Sequence, residues 1–311
     1  MAAALSAGEV DAGAAFGFPE DAEAIRDEDS GEFGASDLGK LVGHWAGAFR
    51  RDHAGAVVLL RPACSFASKD AFGGPGGAVI YVGYRLSRAA LDGFENEYGY
   101  KPTPVRVALD TIAIFTHRDN PIRGLTLAQL GSAFSHSPGC RGEEYAATWG
   151  ALGLTGEWRV RPLQVFGIGS GDDMYDYFSE QVLCGSELSR SVQVRPDSAA
   201  VARAVSESLN AIGYGRGGRT SVKTTPLAVE TGMPFVAPTE RNAVNGSYPL
   251  TRFLHLYVDK RPGRPLTGPP AEFVRFALSA DGQRIARRNG FIPVPQDVAK
   301  KEQNLVFMNR P

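Results

Sequence analysis

The chain has 311 residues, 43% of them hydrophobic and 22% charged, which is enough for about two domains with cores of their own. Its 33 Lys+Arg set against 34 Asp+Glu give a formal net charge of -1, without the basic surplus of a nucleic-acid-binding protein. The longest apolar runs, Ala54 to Leu60 and Phe253 to Val258, are strand-sized, so no segment reads as membrane-spanning.

Residues 1–32 stand apart in composition. Nine acidic residues and one arginine lie between Glu9 and Glu32 among Ala and Gly. There is no basic n-region leading into an apolar core, so the segment reads as an acidic flexible lead-in and not as a signal peptide. From Phe33 onward helical and strand patterns alternate, the rhythm of an α/β protein. Leu38, Leu41, Val42, Trp45 and Phe49 recur at helical spacing, and the strand Ala56 to Leu60 follows. A Gly/Pro-rich turn, Phe72 to Gly77, leads into the strand Ala78 to Val82 and the helix Ser87 to Tyr98. Val105 to Phe115 is long for one strand and suits a segment that leaves one domain and enters the next. A short helix is expected from Tyr175 to Val182. Tyr248 to Val258 has the length of a return crossing, and a Pro/Gly-rich connector, Arg261 to Pro270, follows it. Helices over Glu272 to Leu278 and Gln283 to Arg288 end at Gly290. Two crossings predict a discontinuous first domain, residues 33–110 plus 259–311, and an inserted second domain, residues 111–258.

Signals for chemistry are few. Cys64, Cys140 and Cys184 show no CxxC spacing; Cys140 and Cys184 either pair in an oxidising compartment or stay as buried thiols. His44, His53, His117, His136 and His255 form no HxxxH or HExxH pair, so no metal site is expected. The glycine-rich stretches Gly167 to Gly171 and Gly213 to Gly218 do not meet the dinucleotide fingerprint with its acidic partner. No Gly-x-Ser-x-Gly elbow is present. The chain therefore reads as a non-enzyme without a cofactor. Trp149, Trp158, Tyr175, Tyr177 and Phe178 read as core aromatics.

An ordered series of short motifs carries a resemblance. Val107-Ala108-Leu109-Asp110-x-Ile112-Ala113, Asn120-Pro121 with Gly124 to Leu130, Trp149-Gly150-x-Leu152-Gly153-Leu154, Ile212-Gly213-Tyr214, Gly246 to Leu250 and Gly282-Gln283 resemble the PstS-type phosphate-binding proteins. These are periplasmic substrate-binding components of phosphate ABC importers. The resemblance runs from about Phe33 to Pro295. It implies a two-domain type II periplasmic-binding-protein fold of the Venus-flytrap kind, with two crossing strands and a ligand clamped in the interdomain cleft. It also implies export to the periplasm and an ABC permease as partner.

The ligand loops depart from the family. A family loop resembling Tyr-Gly-Arg-x-Ser-x-Ser-Gly-Thr-Tyr opens a helix whose amides and hydroxyls hold the phosphate while the arginine pairs with it. Here the stretch is Phe166 to Tyr175, with Ile168 at the arginine, Ser170 retained, and Asp172, Asp173 and Met174 at Ser, Gly and Thr. Hydrogen bonds to a charged group are worth ~1.5–3 kcal/mol each. A carboxylate ~4 Å from a phosphate adds about 4 kcal/mol of repulsion at an effective dielectric of ~20. Asp172 or Asp173 alternatively caps the following helix and satisfies amides that would hold an anion. In the first domain, Ser36 and Asp37 stand where the family has a phosphate-binding Thr or Ser at a helix start, and Asp37 is either an N-cap or a ligand. Ser65 keeps a usable hydroxyl, and Arg85 is the surviving cation of a Met-Ser-Arg-like segment. Arg216 and Arg219 are sources of replacement charge. The candidate ligand residues are therefore Ser36, Asp37, Ser65, Arg85, Ser170, Asp172 and Asp173. Two functions stay open: a receptor for phosphate or a related oxyanion, or a degenerate scaffold that has lost phosphate binding and serves as an interaction or structural component.

Overall fold

The computed structural model describes residues 37–53, 55–56, 58–63, 79–135, 144–217 and 221–308. The acidic lead-in, Ser36, Cys64, Ser65, Cys140 and Arg219 lie outside these.

The stripe Leu38, Leu41, Val42, Trp45 and Phe49 is the buried face of α1 (Asp37–Asp52). Strand β1 (Leu59–Pro62) begins later than the apolar run suggests, because parallel pairing with β2 (Val79–Gly83), Leu59 opposite Val79, sets its start. Helix α2 (Arg88–Tyr98) starts behind Ser87, whose hydroxyl accepts from the Ala90 N–H, and stops at Gly99 with φ 77°. Strand β3 (Thr103–Thr116) is followed by β4 (Leu125–Thr126) and α3 (Leu127–Phe134), the latter opened by a Thr126/Gln129 capping box. Next come β5 (Gln164–Ile168), α4 (Asp173–Val182), β6 (Gln193–Arg195), α5 (Ser198–Ser206) and β7 (Ala211–Arg216). The short elements β8 (Lys223–Thr225), β9 (Leu227–Ala228) and α6 (Glu240–Val244) precede β10 (Thr251–Val258). The chain ends with α7 (Gly268–Ala277), α8 (Ala280–Arg288), β11 (Ile292–Pro293) and α9 (Gln296–Phe307). Helix α7 starts inside the Pro/Gly connector, since prolines in a first turn give up amides that have no intrahelical partner. Helix α9 carries no signal that the sequence reading used.

The main sheet runs β1-β2-β10-β3-β7-β5-β6. Strand β3 changes partners along its length. Its Thr103–Thr111 part pairs antiparallel with β10, whereas Ile112–Thr116 pairs with β7 and β8. Two large apolar clusters result among the described residues, beside a smaller one around Phe94 and Tyr81. One gathers α1, α7 and Val105 to Leu109 with Leu254, Leu256 and Val258; the other gathers Ile112 to Phe115 with α3, α4 and α5. Asp110 and Thr111 sit where the two meet.

Candidate functional site

A carboxylate inside a strand buried on both faces is unstable unless it is paired. Asp110 is fully buried and is held by three groups. Arg216 donates through Nη1 to its Oδ1. Tyr84 donates its hydroxyl to Oδ2 at 2.7 Å, and Arg252 approaches the same oxygen with Nη2 at 3.3 Å. The register places Arg252 directly opposite Asp110 across β10 and β3. Aromatic faces cover both guanidinium groups: Arg216 lies 3.7 Å from the Phe291 ring centroid and Arg252 lies 3.1 Å from that of Tyr84. Burial pushes the Asp110 pKa up, but Arg216 and Arg252 outweigh it and hold the carboxyl below its ordinary value. Burial likewise disfavours charged Arg216, yet Asp110, Tyr84 and Asp37 raise its pKa. Burial and then Asp110 raise the Tyr84 phenol, which stays a donor.

The ends of three helices meet beside this network. Helix α1 starts at Asp37, α4 starts behind Asp172 and α5 starts at Ser198. The Ser198 hydroxyl is the common point. It accepts from the Arg216 N–H at 2.8 Å, donates to Asp37 Oδ2 at 2.5 Å and lies 4.0 Å from the Met174 sulfur. Arg216 Nε makes no hydrogen bond among the described residues, and Asp37 Oδ2 is 3.7 Å from it. Helix N-termini carry partial positive charge and unpaired amides, so their meeting point favours an anion. The anion present there is the Asp37 carboxylate, which is buried. Two guanidinium groups, Arg216 and Arg252, thus stand among the buried carboxyl groups of Asp110 and Asp37, with Asp172 and Asp173 beside them at the start of α4.

The remaining candidates take varied places. Asp172 caps α4 by accepting from the Met174 N–H at 2.8 Å, and burial raises its pKa. Asp173 opens α4; its carbonyl accepts from Arg252 at 2.6 Å, and burial, partly countered by Arg252, pushes its carboxyl up to about 6. Ile168 is buried in the second core and its carbonyl accepts from the Tyr214 hydroxyl, so no cation comes from that position. One strand over, Arg216 brings the guanidinium. Ser170 is exposed in the turn before α4. Arg85, in the loop between β2 and α2, pairs with Glu180 of α4 at 2.8 Å, an exposed contact. Arg85, Tyr84, Asp173 and Arg252 line a cavity of about 730 Å³ on the Tyr84 and Arg252 side of the network. Ser36 and Ser65 lie outside the described residues. Cys184 is disulfide-bonded.

The structure thus brings together Asp37, Asp172 and Asp173, and adds Tyr84, Asp110, Ser198 and Arg252, which sequence reasoning passed over. The signal for Asp110 was present, since it is the one acidic residue of the crossing strand β3. The signal for Arg252 required knowing the β3–β10 register.

Comparison with known proteins follows the same lines. The model for the PBP superfamily domain matches residues 34–281. The phosphate-binding protein PstS of Pseudomonas aeruginosa is 42% identical over 270 residues, covering 86% of this chain and 84% of that protein. A putative phosphate ABC transporter substrate-binding protein from Clostridium perfringens, solved with bound phosphate, superposes with a TM-score of 0.59 at 26% identity, over 84% of this chain and 98% of that one. A possible phosphate-binding protein from Planctomyces limnophilus superposes with a TM-score of 0.65 at 18% identity, over 86% and 94%, and supports the fold alone. The sequence resemblance is borne out: this chain belongs to the PBP superfamily and, within it, to the PstS-type phosphate-binding proteins.

Proposed function

We propose that this chain is the solute-binding component of a phosphate importer of the ABC type, receiving phosphate or a related oxyanion between two lobes. One observation carries the reading: the N-termini of α1, α4 and α5 meet at Ser198 beside the buried guanidinium of Arg216. Three helix ends and an arginine suit a tetrahedral oxyanion and do not suit a neutral or cationic solute. The 42% identical relative, named as a phosphate-binding protein, supports the same ligand class. The lobes we infer are the two apolar cores, with the chain crossing at Thr111 and again at the start of β10. That second crossing is earlier than residue 258, because β10 pairs with β2 and packs in the first core. Binding-protein work needs no nucleophile, so the reading is of a receptor and not of an enzyme. Export and delivery to a permease belong to the same proposal. Among the described residues no helix is long and apolar enough to cross a membrane.

The test is titration calorimetry of phosphate into protein that has been unfolded, dialysed and refolded to strip carried-over ligand. A saturable one-to-one isotherm is expected. No heat at millimolar phosphate, arsenate or sulfate overturns the reading.

A further inference from the structure

The two lobes are tied together by the chain's own side chains beside Ser198 and Arg216. Asp37 and Lys40 stand on α1, whose apolar face packs in the first core. Their partners stand at the start of α5, in the second core. Asp37 Oδ2 accepts from the Ser198 hydroxyl at 2.5 Å, and Lys40 Nζ reaches Asp197 Oδ2 at 2.6 Å. Asp197 itself caps α5 by accepting from the Ala200 N–H at 2.9 Å. The Asp37 carboxylate therefore sits at the α5 N-terminus, with the buried Arg216 Nε facing it unbonded at 3.7 Å.

An oxyanion bound to a receptor of this class does two things: it satisfies donors from both lobes, and it pays for closing them. A carboxylate anchored on one lobe and hydrogen-bonded by the other does both without solute. We propose that Asp37 is a tethered oxyanion, which latches the empty cleft shut and must be displaced before a free oxyanion can reach Ser198 and Arg216. The displacement part rests on the oxyanion-receptor reading above; the latch part does not. An intramolecular competitor reduces the fraction of protein able to bind, so apparent affinity falls by that fraction. The selectivity that follows favours solutes able to outcompete a monovalent carboxylate, which places doubly charged phosphate or arsenate ahead of monovalent oxyanions.

The experiment pairs Asp37→Ser and the near-isosteric Asp37→Asn with the unaltered protein. Small-angle X-ray scattering reports lobe closure without ligand, and calorimetry reports phosphate affinity. The unaltered protein is expected to scatter as a compact particle with or without phosphate. Asp37→Ser is expected to expand without phosphate, contract on adding it, and bind at least tenfold more tightly; Asp37→Asn supplies the same readout should the serine variant fold poorly. If both variants stay as compact as the unaltered protein, the latch is overturned whatever the calorimetry shows. If they open but bind phosphate no more tightly, the competition is overturned. If they open while no version binds phosphate, arsenate or sulfate, the latch stands and the receptor reading falls.

Discussion

Asp173→Asn tests the electrostatics of the cleft most directly. Asp173 begins α4 and is only partly exposed, with Arg252 as its cationic neighbour and Asp172 and Asp176 beside it. Burial raises its pKa from 3.8 to about 6. Between those two values the folded chain holds a proton that the unfolded chain has lost, so stability falls as pH rises through this window and the full penalty is present at neutral pH. At ~1.4 kcal/mol for each pH unit the penalty is at most about 3 kcal/mol. Solvent screening at a partly exposed group reduces that to about 1.5 kcal/mol. Loss of a first-turn charge at a helix N-terminus costs ~0.5 kcal/mol in return. Asp173→Asn should therefore be more stable by about 1 kcal/mol at neutral pH, and the difference should vanish as pH falls below the ordinary carboxylate range. His255 acts with the opposite sign. Burial lowers its pKa to about 4, so its contribution is complete above about 6.5 and is lost as pH falls through 4. It is the same in both proteins and cancels in the difference. Urea unfolding of both proteins across the acidic to neutral range measures it. A variant no more stable at neutral pH, or a difference that grows on acidification, would refute the reasoning.

Arg216→Met should destabilise the chain by about 3 kcal/mol, because Asp110 stays buried with only Arg252 and Tyr84 to offset its charge. A loss below ~1 kcal/mol in chemical unfolding would mean that those two suffice. Gly282→Ala should cost about 2 kcal/mol, since a Cβ there would come within 2.2 Å of the Phe276 carbonyl oxygen and 2.7 Å of the Ala277 carbonyl oxygen, backbone atoms that must move. An unchanged thermal midpoint would show that α8 shifts off α7 freely.

Much of the architecture was legible because hydrophobic period and turn chemistry are local. The face of α1, the caps of α2 and α4 and the long β3 follow from residues within a turn or a strand of each other. The series of short motifs carried the family. Site residues were less accessible. Ile168 stands where the resemblance expects an arginine, and Arg216 was readable as one of two nearby sources of charge, but nothing local places Arg216 against Asp110 and Ser198. Asp172 was readable as a cap because an Asx side chain ahead of a helix has a near-obligatory partner two residues on.

What the sequence by itself determined is the α/β alternation, the two crossing strands and the family, all consequences of short-range pattern kept in order along the chain. Only the tertiary structure decided that Asp37 meets Ser198 across 161 positions of sequence and that Asp110 meets Arg216 across 106. The reason is electrostatic. A buried charge takes whichever opposite charge the packing of distant strands and helix ends brings within reach, and that choice is made by strand register and helix packing, which no local pattern encodes.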